Sequence, residues 1–123
     1  MSTQTLATRS TTFKIGWIAL LVISALFALW HIIAIVAFPS DEATLFAGWA
    51  AFNLYSTLVL YIPFRRGEKW AWYTSWILVI GFAAPILFSQ ESFTVYYLGA
   101  AVLMAVALLL TRPAFFQGEP LAN

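Results

Sequence analysis

Four long apolar runs, each free of charged residues, divide this 123-residue chain, and its charges sort between the intervening loops by sign. Arg9 and Lys14 precede the first run, Arg65, Arg66 and Lys69 separate the second from the third, and Arg112 closes the fourth. The other two loops carry Asp41, Glu42 and Glu91 and no cation. Short loops rich in Lys and Arg stay in the cytoplasm, so the partition predicts both termini inside. Loops this short make successive helices antiparallel neighbours. The expected fold is all-α: a transmembrane four-helix bundle, up-down-up-down, with both termini cytoplasmic, in a multi-pass protein of the cell's inner (plasma) membrane.

Composition agrees. Hydrophobic residues make up 63% and charged residues 9%, where a soluble domain carries about 25% charged. A single small domain cannot bury that much apolar surface in water, so the bilayer must serve as solvent. On the cytoplasmic side six cations face Glu68 and Glu119, a surplus of +4; the outer loops hold three acids, −3. The basic rim suits anionic lipid headgroups, at about 1 kcal/mol per surface cation. It lacks the interleaved aromatics of a nucleic-acid groove, so nucleic acid is not an expected partner. The absence of cysteine excludes disulfides, thiolate catalysis and Cys-ligated metals. The first run, 15–38, exceeds a signal-peptide core of about 7–15 residues and reads as a retained helix.

The expected layout is a flexible cytoplasmic tail over 1–12, a transmembrane domain over 13–112 and a second cytoplasmic tail over 113–123. Helices are expected near 13–38, 42–64, 70–88 and 92–110. Pro39 stops the first, because its ring cannot continue a helix, and Ser40 or Asp41 is placed to cap the second. Trp17, Trp70, Trp72 and Trp76, with Arg65, Arg66 and Lys69, are the expected interface anchors, since indole and cationic side chains favour the headgroup level. Phe115 and Phe116 are expected to dip back into that interface from the tail.

Few polar groups lie at membrane depth. Asn53 sits mid-way along the second run, and Trp49 and Thr57 share its helix face at four-residue spacing. His31 lies in the outer half of the first run, with Ser24 two turns away on the same face. An unpaired polar group in hydrocarbon costs several kcal/mol, so both should turn inward and can approach each other. Gly81 and Pro85 predict a kink, because proline clashes with the carbonyl four residues earlier. His31, Asn53, Trp49, Thr57, Gly81 and Pro85 thus form the candidate ligand-binding set. The plain alternative makes Asn53 interhelical glue, worth about 0.6–2 kcal/mol.

No Asp, Glu, Lys or Arg lies within a run, which argues against a proton-coupled antiporter or an ion pump. His31 offers haem a single axial ligand, or a pair across a dimer interface, which keeps haem as the minor alternative, and a catalytic zinc needs three protein ligands. No nucleophile has a base and orienter. No cofactor is expected, and the chain does not read as an enzyme. Small residues gather at Ala47, Gly48, Ala50 and Ala51 and at Gly99, Ala100, Ala101 and Ala105, where helix backbones can approach closely.

The stretch Arg65-Arg66-Gly67-Glu68-Lys69-Trp70-Ala71-Trp72-Tyr73 resembles the loop and third-helix start of small bacterial membrane proteins of four helices, and the resemblance implies no activity. Taken together, the expected role is an accessory or structural subunit of a larger membrane assembly. Its expected partners are lipids, other membrane subunits or further copies of itself. The alternative is a binder or transporter of a small or lipidic molecule, using the polar seam at His31 and Asn53.

Overall fold

The computed structural model describes residues 9–117, and every regular element among them is helical. Residues 1–8 and 118–123, most of the two expected tails, lie outside the described residues. The elements are α1 (Thr11–Ala37), α2 (Ser40–Val59) with a widened last turn at Leu60–Phe64, α3 (Lys69–Ala83), α4 (Pro85–Phe88) and α5 (Thr94–Phe116). They make four helices long and apolar enough to cross a membrane, of 27, 24, 20 and 23 residues, with α3 and α4 forming the third. At a rise of 1.5 Å per residue the shortest still covers about 30 Å.

Local chemistry sets the ends. The Phe13 backbone N–H donates to Ser10 Oγ at 3.1 Å, a side-chain cap that starts α1 at Thr11, inside the expected tail. Phe38 is extended, as the residue before a proline must be. Pro39, rather than Ser40 or Asp41, holds the cap position of α2, and Asp41 and Glu42 fall in the first turn. There their carboxylates favour the helix's positive end.

The last turn of the second span takes π geometry around Pro63, which has no N–H to donate to its helix. Gly67 then ends the span at φ +80°. Gly67 N–H donates to Phe64 O at 2.9 Å and Glu68 N–H to Pro63 O at 3.1 Å, the paired bonds of a left-handed glycine cap. The third span breaks at Ala84, one residue before Pro85, where the kink was expected. Helix α5 passes through Pro113 to Phe116 rather than ending near 110. Phe115 and Phe116 therefore do not dip into the interface from a tail. Phe115 packs on Phe64 at 4.9 Å and on Phe13 at 6.1 Å, and Phe116 on Trp72 at 5.1 Å; this ring cluster holds the last turn helical.

Helix α1 packs along both α2 and α5, and α3 packs along α5. Trp17 meets Leu60, Ser24 meets Asn53, and His31 stacks on Trp49, so α1 and α2 run in opposite senses. Helices α2 and α3 touch sparsely, chiefly through Phe52 against Gly81 and Trp49 against Phe82. The gap left between them matters below. Leu26, Ile80, Leu103 and Leu109 are among the large apolar side chains on the outside, the surface a hydrocarbon solvent asks for.

Candidate functional site

Ser24, His31, Asn53 and Thr57 meet at the α1–α2 seam, and a fifth residue, Tyr97, joins them from α5. Ser24 and Thr57 hydroxyls lie 2.9 Å apart, and both donate to the Asn53 carbonyl, at 3.2 and 2.7 Å. This pair clasps the two helices and leaves Thr57 on no cavity described below. Nearer the acidic loops, Asn53 Nδ2 donates to Trp49 O at 2.9 Å and to His31 Nδ1 at 3.3 Å. His31 Nε2 lies 2.7 Å from the Tyr97 hydroxyl.

Proton accounting constrains these bonds. Turning the Asn53 amide over would set its oxygen against Trp49 O, two acceptors face to face, so Nδ2 is the atom at that carbonyl. Either ring nitrogen of His31 can then carry the proton: on Nε2 it goes to Tyr97 while Nδ1 accepts from Asn53, and on Nδ1 it goes to the Phe27 backbone carbonyl while Nε2 accepts from Tyr97. Two capacities are left over. Asn53 Oδ1 is buried without a hydrogen-bond partner among the described residues. With the ring proton on Nε2, the Tyr97 hydroxyl also keeps its own proton to give. His31 and Asn53 are fully buried, whereas Tyr97 is half-buried.

Three spaces adjoin this network, one of them a cleft of about 360 Å³ against Phe27, Trp30 and Tyr97. A cavity of about 740 Å³ opens at the acidic loop end, lined by His31, Phe46, Trp49, Pro85, Phe93 and Tyr97, with Glu42 and Glu91 also on its wall. His31 borders it but exposes no surface, so the polar group of the network that faces the cavity is Tyr97. A second, more apolar groove of about 490 Å³ fills the gap between α2 and α3, lined by Leu45, Gly48, Trp49, Phe52, Ile77 and Gly81. Leu45 and Trp49 belong to both linings. Around Trp49 the rings of His31, Phe52, Phe82 and Tyr97 lie at centroid distances of 5.8–6.4 Å.

The structure thus divides the expected ligand set. His31, Trp49 and Pro85 border the larger cavity, Gly81 and Trp49 the groove, and Asn53 and Thr57 lie behind them. Tyr97 was missing from that set: beside Tyr96, near the acidic loops, it carries no sequence signal that it reaches His31.

Two of the expected interface anchors take a different role. Trp17 and Trp72 are buried at 7% and 8% exposure. Their indole N–H groups donate to Leu60 O at 2.8 Å and Leu108 O at 3.1 Å. They bolt helices together, Trp17 joining α1 to the widened turn after α2 and Trp72 joining α3 to α5. Trp70 remains exposed, bonded to Glu68 at 2.6 Å, and Trp76 packs edge-on to Trp72. Arg65 lies over Tyr61 at 5.0 Å and Lys69 over Phe116 at 5.7 Å, while Arg66 is exposed.

Haem does not fit His31. Both ring nitrogens are held in hydrogen bonds and the ring stacks on Trp49 at 5.9 Å, so no lone pair is presented to a space that would take a macrocycle. No protein-family model, curated protein or solved structure matches the chain significantly.

Proposed function

We propose that the protein is a multi-pass inner-membrane protein, with helices up-down-up-down and both termini cytoplasmic, that binds a small amphipathic molecule at its outer, acidic end. The orientation rests on the six-to-zero partition of cations between the two sets of loops. Cysteines placed at the exposed positions Gln90 and Arg66 test it. Gln90→Cys should react with an impermeant thiol reagent on intact cells and Arg66→Cys should not; the reverse pattern would sink the assignment.

The binding reading is carried by one observation: Trp49 stands between a cavity faced by a hydrogen-bonding hydroxyl and an apolar groove open along the helices. A guest with a polar head and an apolar body matches that division. Its head would meet the Tyr97 hydroxyl, which His31 and Asn53 hold in place from behind, and its body would lie against Trp49, Phe52 and Ile77. Sites of this kind are largely apolar with a few fixed polar groups. No bond-making chemistry is assigned to it.

A second reading, the accessory subunit, draws on Gly48 and Gly99, where an added Cβ would meet nothing within 4 Å. Those positions are spare for the bundle's own packing and accessible to a neighbouring helix. Purification from the native membrane in mild detergent, followed by native mass spectrometry, separates the two. The binding reading expects a small-molecule adduct that Trp49→Phe weakens. A stoichiometric protein partner with no adduct would displace it in favour of the subunit.

A further inference from the structure

We propose that the outer cavity selects a lipophilic cation, an ammonium or phosphonium-type centre on an apolar body; this rests on the binding reading above. Its wall holds two carboxylates, Glu42 and Glu91, and no lysine or arginine. All six cations of the chain, Arg9, Lys14, Arg65, Arg66, Lys69 and Arg112, lie at or near the opposite ends of the helices. The rest of the lining is aromatic-rich, with Phe46, Trp49, Phe93 and Tyr97 presenting ring faces or edges. Ring faces attract a cation and do so most where water is excluded. A weakly hydrated organic cation is therefore drawn by the carboxylates at the loop end and held by the rings deeper in.

An anion meets the opposite conditions. The network supplies it at most one proton donor, the Tyr97 hydroxyl, because the His31–Tyr97 bond already uses a proton of one or the other. Ser89, also on the wall, accepts from the Glu91 backbone N–H at 3.2 Å and keeps one hydroxyl proton, beside an acidic residue. A carboxylate or phosphate needs several donors or a fork of charge, and the two glutamates repel it. Asn53 Oδ1, buried without a hydrogen-bond partner among the described residues, adds acceptor character behind the site.

Tetraphenylphosphonium and tetraphenylborate are nearly the same size and shape and opposite in charge, so they isolate the charge preference. Equilibrium dialysis of the whole protein in lipid nanodiscs, corrected against empty nanodiscs, should show saturable binding of the phosphonium about tenfold tighter than the borate. In the double variant Glu42→Gln/Glu91→Gln, at two exposed positions, that preference should shrink by roughly three- to tenfold. Equal saturable binding of both ions, weakened by Phe93→Ala and by Trp49→Phe, would overturn the cation assignment and leave the cavity reading standing. A preference that survives loss of both glutamates would overturn it too. No saturable binding of either ion would remove the cavity reading as well.

Discussion

Gly16→Leu should leave little folded protein. A Cβ at Gly16 would sit 2.6 Å from the Ala107 carbonyl oxygen and 2.8 Å from Thr111 Cγ2. The first of these is backbone in the middle of α5 and cannot swing aside, so α1 and α5 would have to part. Overpacking by a few methylenes costs about 1–3 kcal/mol where side chains can adjust, and a backbone clash at a helix crossing belongs at or beyond the top of that range. The separation would also disturb fully buried Thr111 and Leu108 and the Trp72 bond to Leu108 O. Thermal melting in detergent, with size-exclusion profiles, checks the expectation. Gly48→Leu and Gly99→Leu are the controls, because their added side chains enter open space; both should melt close to the parent. A Gly16→Leu protein that melts with them would mean α1 and α5 do not approach this closely.

Gly16 also marks where sequence reading stopped short. The small-residue clusters that stand out in the chain are only partly inside: Ala50, Ala100 and Ala101 are buried, whereas Ala47, Gly48, Ala51 and Gly99 face outward. The tightest crossing is made by a lone glycine against an alanine on another helix, a pair no spacing within one helix reveals. The spans themselves were legible, because charge is excluded from hydrocarbon and prolines punctuate it: Pro39 stops α1, and the break at Ala84 precedes Pro85. Which face of each span turns inward was far less so. A helix wetted by lipid is apolar all round, and the 3.6-residue contrast that marks the core face of a soluble helix is largely lost. Only the rare polar groups kept that information, which is why Asn53 and His31 could be turned toward each other on paper and are 3.3 Å apart between Nδ2 and Nδ1. Tyr97, Trp17 and Trp72 carry polar atoms too. Their rings are equally at home in the headgroup layer, so their inward bonds could not be read from position alone.

The His31–Asn53 pair should show coupling in a double-mutant cycle, and that expectation carries the second-largest effect. With the ring proton on Nε2, Asn53→Leu strands His31 Nδ1 without its donor in a fully buried site, and His31→Phe strands an Asn53 N–H and removes the donor to Tyr97. Each single change should cost about 1–3 kcal/mol, toward the lower end if the unfolded chain in the membrane finds other partners. Removing both groups together leaves neither unsatisfied toward the other. The double variant should therefore be less damaged than the sum of the singles, by about 1 kcal/mol. Reversible denaturation of the four proteins in mixed micelles measures this, and strictly additive losses would mean the bond is not made. His31→Gln separates stability from use: an amide restores one donor and one acceptor, so the fold should persist. Persisting fold with lost phosphonium binding would show that His31 works through its hold on the Tyr97 hydroxyl. Persisting fold with unchanged binding would confine the histidine to joining α1, α2 and α5.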